Sequence, residues 1–159
     1  MKKSLVRVIP LLIAICLFGC KKNHSGSFTP ALTITATSTT NGSQSIRFPT
    51  VVVAVQEVDT LHSTLISGQY SDTSTLQGSI SIRVIGDTTG TYKGNKLLVT
   101  YVDGLGNTYN SQGDSTDQVT ITRFSKQANG EVTGSFFINV YDTPNELTLS
   151  GQFTAGFLD

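Results

Sequence analysis

The sequence predicts an all-β fold, an antiparallel sandwich or barrel of about eight to ten strands. Three observations predict it. Past Pro30, β-branched residues alternate with polar ones at a period of two, and no helical stripe runs ten residues. Serine and threonine number 40 of 159 residues while charged residues make up 14%, which excludes a coiled coil or a charged helical bundle. Turn signals such as Asn41-Gly42, Asn129-Gly130 and Thr143-Pro144-Asn145 leave connections of hairpin length, too short for crossover helices.

The strands follow in order. Residues 31–37 alternate, with Leu32, Ile34 and Ala36 on one face, and a polar loop is expected over 38–45. Residues 48–58 carry the run Val51-Val52-Val53-Ala54-Val55, which reads as a strand buried on both faces. Residues 61–70, 76–85 and 96–103 come next, with clean alternation at Ile80, Ile82, Val84 and at Leu97, Val99, Tyr101. Asp103-Gly104-Leu105-Gly106-Asn107 then turns the chain into 108–110. Strands over 118–124, 132–141 and 146–155 complete the set, in one domain spanning 31–159.

Four of these strands share a local text, apolar–polar–Gly–(Ser or Gln)–apolar, centred on Gly68, Gly78, Gly134 and Gly151. Glycine inside a strand marks a bulge, a corner or the close approach of another backbone. Here it is expected to let strongly bent strands turn a corner; a groove floored by glycines is the functional alternative.

The first residues are an address. Lys2, Lys3 and Arg7 precede an apolar run over 8–19 broken only by Pro10. Twelve residues rise about 18 Å as a helix, short of a hydrocarbon core of roughly 30 Å, so residues 1–19 read as a signal peptide. They end in Leu17-Phe18-Gly19-Cys20, which resembles the lipobox of bacterial lipoproteins, with Phe18 bulkier than the residue usual there. The resemblance implies acylation of Cys20 and removal of 1–19. Cys16 leaves with the signal, so no disulfide is available to the mature domain. Residues 20–30 then form the lipidated cysteine and a tether reaching at most ~35 Å. No aspartate follows Cys20, and no acidic cluster follows Lys21 and Lys22. By resemblance this favours the outer membrane, periplasm-facing, with surface exposure left open.

Gly90-Thr91-Tyr92, Val119-Thr120-Ile121-Thr122, Val132-Thr133-Gly134-Ser135-Phe136-Phe137 and Gly151-Gln152-Phe153 occur in an order that resembles the small, uncharacterised β-rich lipoproteins of Bacteroidetes-type bacteria. The likeness covers roughly residues 60–157. It implies an all-β fold and an envelope location, and it carries over no activity.

The chemistry is weighed against that background. From Cys20 onward eight basic residues face eleven acidic ones, so no basic surplus suits a nucleic-acid partner. A hydrolytic triad would have to use His62 with Asp59 or Asp72, and alternation sends residues three apart to opposite faces. Nothing selects one pair of carboxylates for glycosidase chemistry. Zinc lacks its His and Cys ligands; for calcium, Asp114 and Asp117 are the better pair, with Asp103 to Asn107 the other candidate loop, although neither matches an EF-hand. No cofactor is expected. For a glycan partner, Tyr92 and Tyr109 lie near loops rich in Asn, Gln and Thr, while Tyr101 belongs to the core pattern. The sequence therefore predicts a membrane-anchored lipoprotein of the envelope that is not an enzyme and serves as a structural or binding accessory. Glycan binding through Tyr92 and Tyr109 is the alternative, and a hydrolase a distant one.

Overall fold

The computed structural model describes residues 29–38, 42–58, 61–71, 77–127 and 130–157. The expected signal peptide, Cys20, the expected tether as far as residue 28, and the turn residues Asn41 and Asn129 lie outside them, as do Asp59 and Asp72. Eleven strands make up the fold: β1 (Ala31–Ser38), β2 (Gly42–Phe48), β3 (Thr50–Val58), β4 (Leu61–Ser71), β5 (Gln77–Ile85), β6 (Gly90–Lys93), β7 (Leu97–Val102), β8 (Thr108–Ser111), β9 (Gln118–Phe124), β10 (Glu131–Asp142) and β11 (Asn145–Phe157). A single 3-10 turn, Gly94–Lys96, sits between β6 and β7. No helix among the described residues is long and apolar enough to cross a membrane.

Two long strands organise the rest. Along one edge β11 pairs with the whole length of β10, through Asn145 to Gly156. Its other edge is shared: residues 147–154 pair with β1, and Gly156 and Phe157 then pair in parallel with Val52 and Val53 of β3. The free edge of β10 is divided the same way, β9 taking Val132 to Phe137 and β8 taking Val140 and Tyr141. A hydrogen-bonded ring therefore runs β3-β4-β5-β7-β8-β10-β11 and back to β3. The pairs β1–β2 and β9–β6 extend beyond it as flaps. Sandwich and barrel are both apt descriptions: a six-stranded sheet, β2-β1-β11-β10-β9-β6, faces the five strands β3-β4-β5-β7-β8, and hydrogen bonds join the two at each corner. The strand pairings are antiparallel apart from β11 with β3.

The inward faces follow the alternation in the sequence. Leu32 and Ile34 of β1, Ile80, Ile82 and Val84 of β5, and Ile138 and Val140 of β10 are all at most 1% exposed. Fully burying each such side chain contributes about 1.5–3 kcal/mol. The valine run of β3 departs from expectation. Val51 and Val53 are buried, but Val52, Ala54 and Val55 are only half so, because helices do not cover the outer face of this sheet. Two strands were not expected. β2 occupies part of the predicted loop, since as an edge strand it needs only Ile46 and Phe48 to face inward. β6 is four residues pairing with β9.

The glycine text has a structural meaning. Gly134 lies opposite Phe153, and Gly151 opposite Phe136, in one antiparallel register. Gly68 lies opposite Ile80, and Gly78 opposite Tyr70, in another. Antiparallel pairing of one Gly-x-apolar segment with a second places each large side chain over the other strand's glycine. At Gly134 a bulge is also present: β9 inserts Thr122 between the residues opposite Thr133 and Gly134. All four are sites of close approach. A Cβ on Gly68 would stand 2.7 Å from Leu32 Cδ2, and one on Gly151 would stand 2.0 Å from the Thr33 carbonyl oxygen.

Candidate functional site

At one end of the barrel the two sheets part around a recess of about 170 Å³. Alternation sets Gln44, Ile46 and Phe48 of β2 on one wall. Tyr70 of β4, Gly78 of β5 and Tyr101 of β7 form the opposite wall, and the turn residues Asp103 and Leu105 stand at the rim. Register explains how the rings fit. Tyr70 pairs with Gly78, whose missing side chain leaves room for the ring, and Phe48 meets Tyr70 edge-on with centroids 6.3 Å apart.

The rim is held rigidly. Asp103 Oδ1 accepts the N–H groups of Leu105 and Asn107, both at 2.9 Å, and Oδ2 accepts Asn107 Nδ2 at 2.8 Å. This side-chain turn leaves Leu105 82% exposed at the opening. Leucine that exposed on a fixed turn contributes nothing to the core. Tyr101 is 3% exposed as a residue, yet among the described residues no group hydrogen-bonds its hydroxyl. Burial, and then the negative charge of Asp103, push its pKa up to about 12, so the hydroxyl stays protonated and remains a donor.

The tyrosines singled out in the sequence are placed otherwise. Tyr109 is 7% exposed and packs behind Tyr101 with ring centroids 6.0 Å apart, so it belongs to the core and not to a binding face. Its position on β8 points inward because it pairs with Tyr101 in register. Tyr92 is half-buried on β6, in the other sheet. Its ring covers Gly86, where an added Cβ would stand 2.2 Å from a Tyr92 ring carbon, and its hydroxyl donates to the Thr88 carbonyl at 2.9 Å. Tyr92 thus staples the loop before β6, and the two do not share a concave face.

Asp114 and Asp117 do come together, in the turn before β9, but each is engaged by the protein. Asp114 Oδ2 accepts the Tyr141 hydroxyl at 2.6 Å, and Asp117 Oδ1 accepts the Asn139 N–H at 2.8 Å. Asp117 is fully buried, and its Oδ2 has no partner among the described residues. Burial, followed by the charge of Asp114, pushes its pKa up against the Asn139 hydrogen bond. Among the described residues no three His, Cys, Asp or Glu side chains gather as metal ligands. The pair clamps its turn onto β10. In the second calcium candidate, Asp103 accepts three hydrogen bonds from its own turn, and no second carboxylate stands beside it in that loop.

His62, on β4, is half-exposed and lies 3.7 Å from Asp87 Oδ2, an ion-pair distance beyond hydrogen-bond reach. Lys126 donates to the same oxygen and, with burial opposing it, holds the Asp87 carboxyl below its usual range. The nearby Thr64 hydroxyl donates to the Gly86 carbonyl at 2.7 Å. A broader trough of about 430 Å³ crosses the outer face of β1, β11, β10 and β9, lined by Thr33, Thr133, Ser135, Gln152 and Thr154 beside Gly134. It is open and carries no charged lining residue.

Sequence reasoning missed Phe48, Tyr70 and Gln44 as neighbours. The repeated Gly-Gln-aromatic text at Gly68 to Tyr70 was the available signal for Tyr70; nothing marks Gln44. No protein-family model, curated protein or solved structure matches this chain.

Proposed function

We propose that this chain is a lipid-anchored binding domain of the bacterial cell envelope, held at the outer membrane by acylated Cys20 and facing the periplasm, with no catalytic role. The anchoring rests on the basic start, the short apolar run and the Leu17-Phe18-Gly19-Cys20 motif. Two or more acyl chains on one cysteine meet the requirement for stable attachment. One observation carries the binding role: a barrel closed by hydrogen bonds on all sides opens at one end into an aromatic-walled recess with an unengaged tyrosine hydroxyl. Concave sites combining apolar walls with a few convergent polar groups are where small ligands bind.

The test is fractionation with protease shaving. Wild type is expected in the membrane fraction, protected in intact cells and digested after lysis, and Cys20→Ala in the soluble fraction with its fold intact. Retention of Cys20→Ala in the membrane would refute the anchor. Digestion in intact cells would move the domain to the outer face.

A further inference from the structure

We infer that the recess beneath Leu105 binds a single neutral sugar ring, the terminal residue of a glycan. The inference rests on the binding-domain reading and names its ligand. Size is the first argument. A volume of about 170 Å³ falls below the ~300 Å³ lower bound of pockets for drug-sized ligands, so it admits one ring and leaves the remainder outside. The opening at the barrel end provides that exit.

The lining chemistry is the second argument. A pyranose has an apolar face that packs on aromatic rings and a rim of hydroxyls that need both donors and acceptors. Tyr70, half-buried at the opening, supplies the ring face, with the buried Phe48 packed edge-on behind it; the Tyr101 hydroxyl, the Gln44 amide and the Asp103 carboxylate supply the polar partners. An acyl tail or an aliphatic side chain would fill the same space while leaving a buried tyrosine hydroxyl unpaired, which is unfavourable. Charge is the third argument. Asp103 is the one ionised side chain in the lining, and it is negative, so uronic acids and phosphorylated sugars are repelled. Beyond the three donors of its own turn, about one of the roughly four acceptor sites of its carboxylate, on Oδ2, is left to accept a sugar hydroxyl at the rim.

The experiment uses the full lipidated chain in detergent. The chain has no tryptophan, so its emission comes from five tyrosines, of which Tyr70 and Tyr101 line the recess. Saturation-transfer NMR supplies a second readout. The probes are the methyl glycosides of glucose, mannose and galactose, N-acetylglucosamine, glucuronate and cyclohexanol. At least one neutral sugar is expected to bind with a Kd of about 1 mM, as one ring of this size can achieve. Glucuronate and cyclohexanol are expected to bind at least tenfold more weakly.

Tyr101→Phe keeps the ring and removes the hydroxyl, and should weaken binding about tenfold; Leu105→Ser, on an exposed turn that does not stabilise the core, should weaken it several-fold. Tyr92→Phe should bind as wild type. Failure of every neutral sugar, equal binding of cyclohexanol or glucuronate, or wild-type affinity in both Tyr101→Phe and Leu105→Ser would overturn the inference. Fractionation of Cys20→Ala is independent of these titrations, so loss of the anchor reading and loss of the sugar site are told apart.

Discussion

Gly151→Ala tests the close-approach argument most directly. The added methyl would stand 2.0 Å from the Thr33 carbonyl oxygen and 3.0 Å from a ring carbon of Phe136, where ordinary contact begins at 3.4 Å. Phe136 can tilt, but the Thr33 carbonyl belongs to β1, whose eight residues are all in register with β11. Relief requires that strand to retreat by roughly an ångström or more, at the expense of its hydrogen-bond ladder. Overpacking a filled site costs about 1–3 kcal/mol and occasionally more, while alanine gains ~0.5–1 kcal/mol over glycine in backbone entropy. The obstacle here is main chain, so a net destabilisation of about 2–3 kcal/mol is expected.

Against a total stability of ~5–15 kcal/mol that is a large fraction, and it corresponds to a Tm lower by about 10 °C for a domain of this size. Urea denaturation followed by tyrosine emission reads it, with an unchanged m-value showing that the unfolded state is not the cause. Gly42→Ala is the control: its φ of +76° strains any side chain, but nothing lies within 4 Å, so only about 1 kcal/mol should be lost. If Gly151→Ala lies within ~0.5 kcal/mol of wild type, or destabilises no more than the control, the steric reasoning is wrong.

Further predictions concern the polar and aromatic residues. Asp117 holds its proton more tightly folded than unfolded, so the stability it contributes is present in acid and lost as pH rises through its raised folded pKa. Asp117→Asn keeps the acceptor for the Asn139 N–H and should therefore stabilise the domain by about 1 kcal/mol at pH 7, with no gain near pH 3; a midpoint shift independent of pH would count against the buried charge. Tyr109→Ala should destabilise by about 3 kcal/mol as a core truncation, and calorimetry showing an unchanged Tm would return that residue to the surface.

Much of the fold was legible because burial of one sheet face writes itself as alternation. Leu97-Leu98-Val99-Thr100-Tyr101 and Gln118 to Phe124 are read correctly from period alone. β2 was not legible, since only two of its seven residues, Ile46 and Phe48, are even partly buried. Ring closure rests on Gly156 and Phe157 meeting Val52 and Val53, a pairing about a hundred residues apart that no local pattern encodes. The glycine recurrence was visible as text, but its reciprocity appears only once the register is known. Tyr101 shows why sites elude this kind of reading: its periodicity places the ring in the core, and only the tertiary arrangement makes it part of a recess wall. Tyr109 is the converse: a polar loop precedes it in the sequence, but its register with Tyr101 turns it into the core.

The position of β1 has a mechanical consequence. On the proposed anchoring, any tug between the domain and the bilayer enters the fold at Ala31. That residue begins a strand in register with β11 through all eight of its positions and with β2 through seven of them. A load drawn along β1 is therefore borne in shear by two ladders that must yield together, and it cannot peel one strand at a time from a free edge. Under that proposal the leash would meet an inner strand and leave the outer, polar β2 carrying none of the pull directly, an arrangement suited to a domain held against a moving surface.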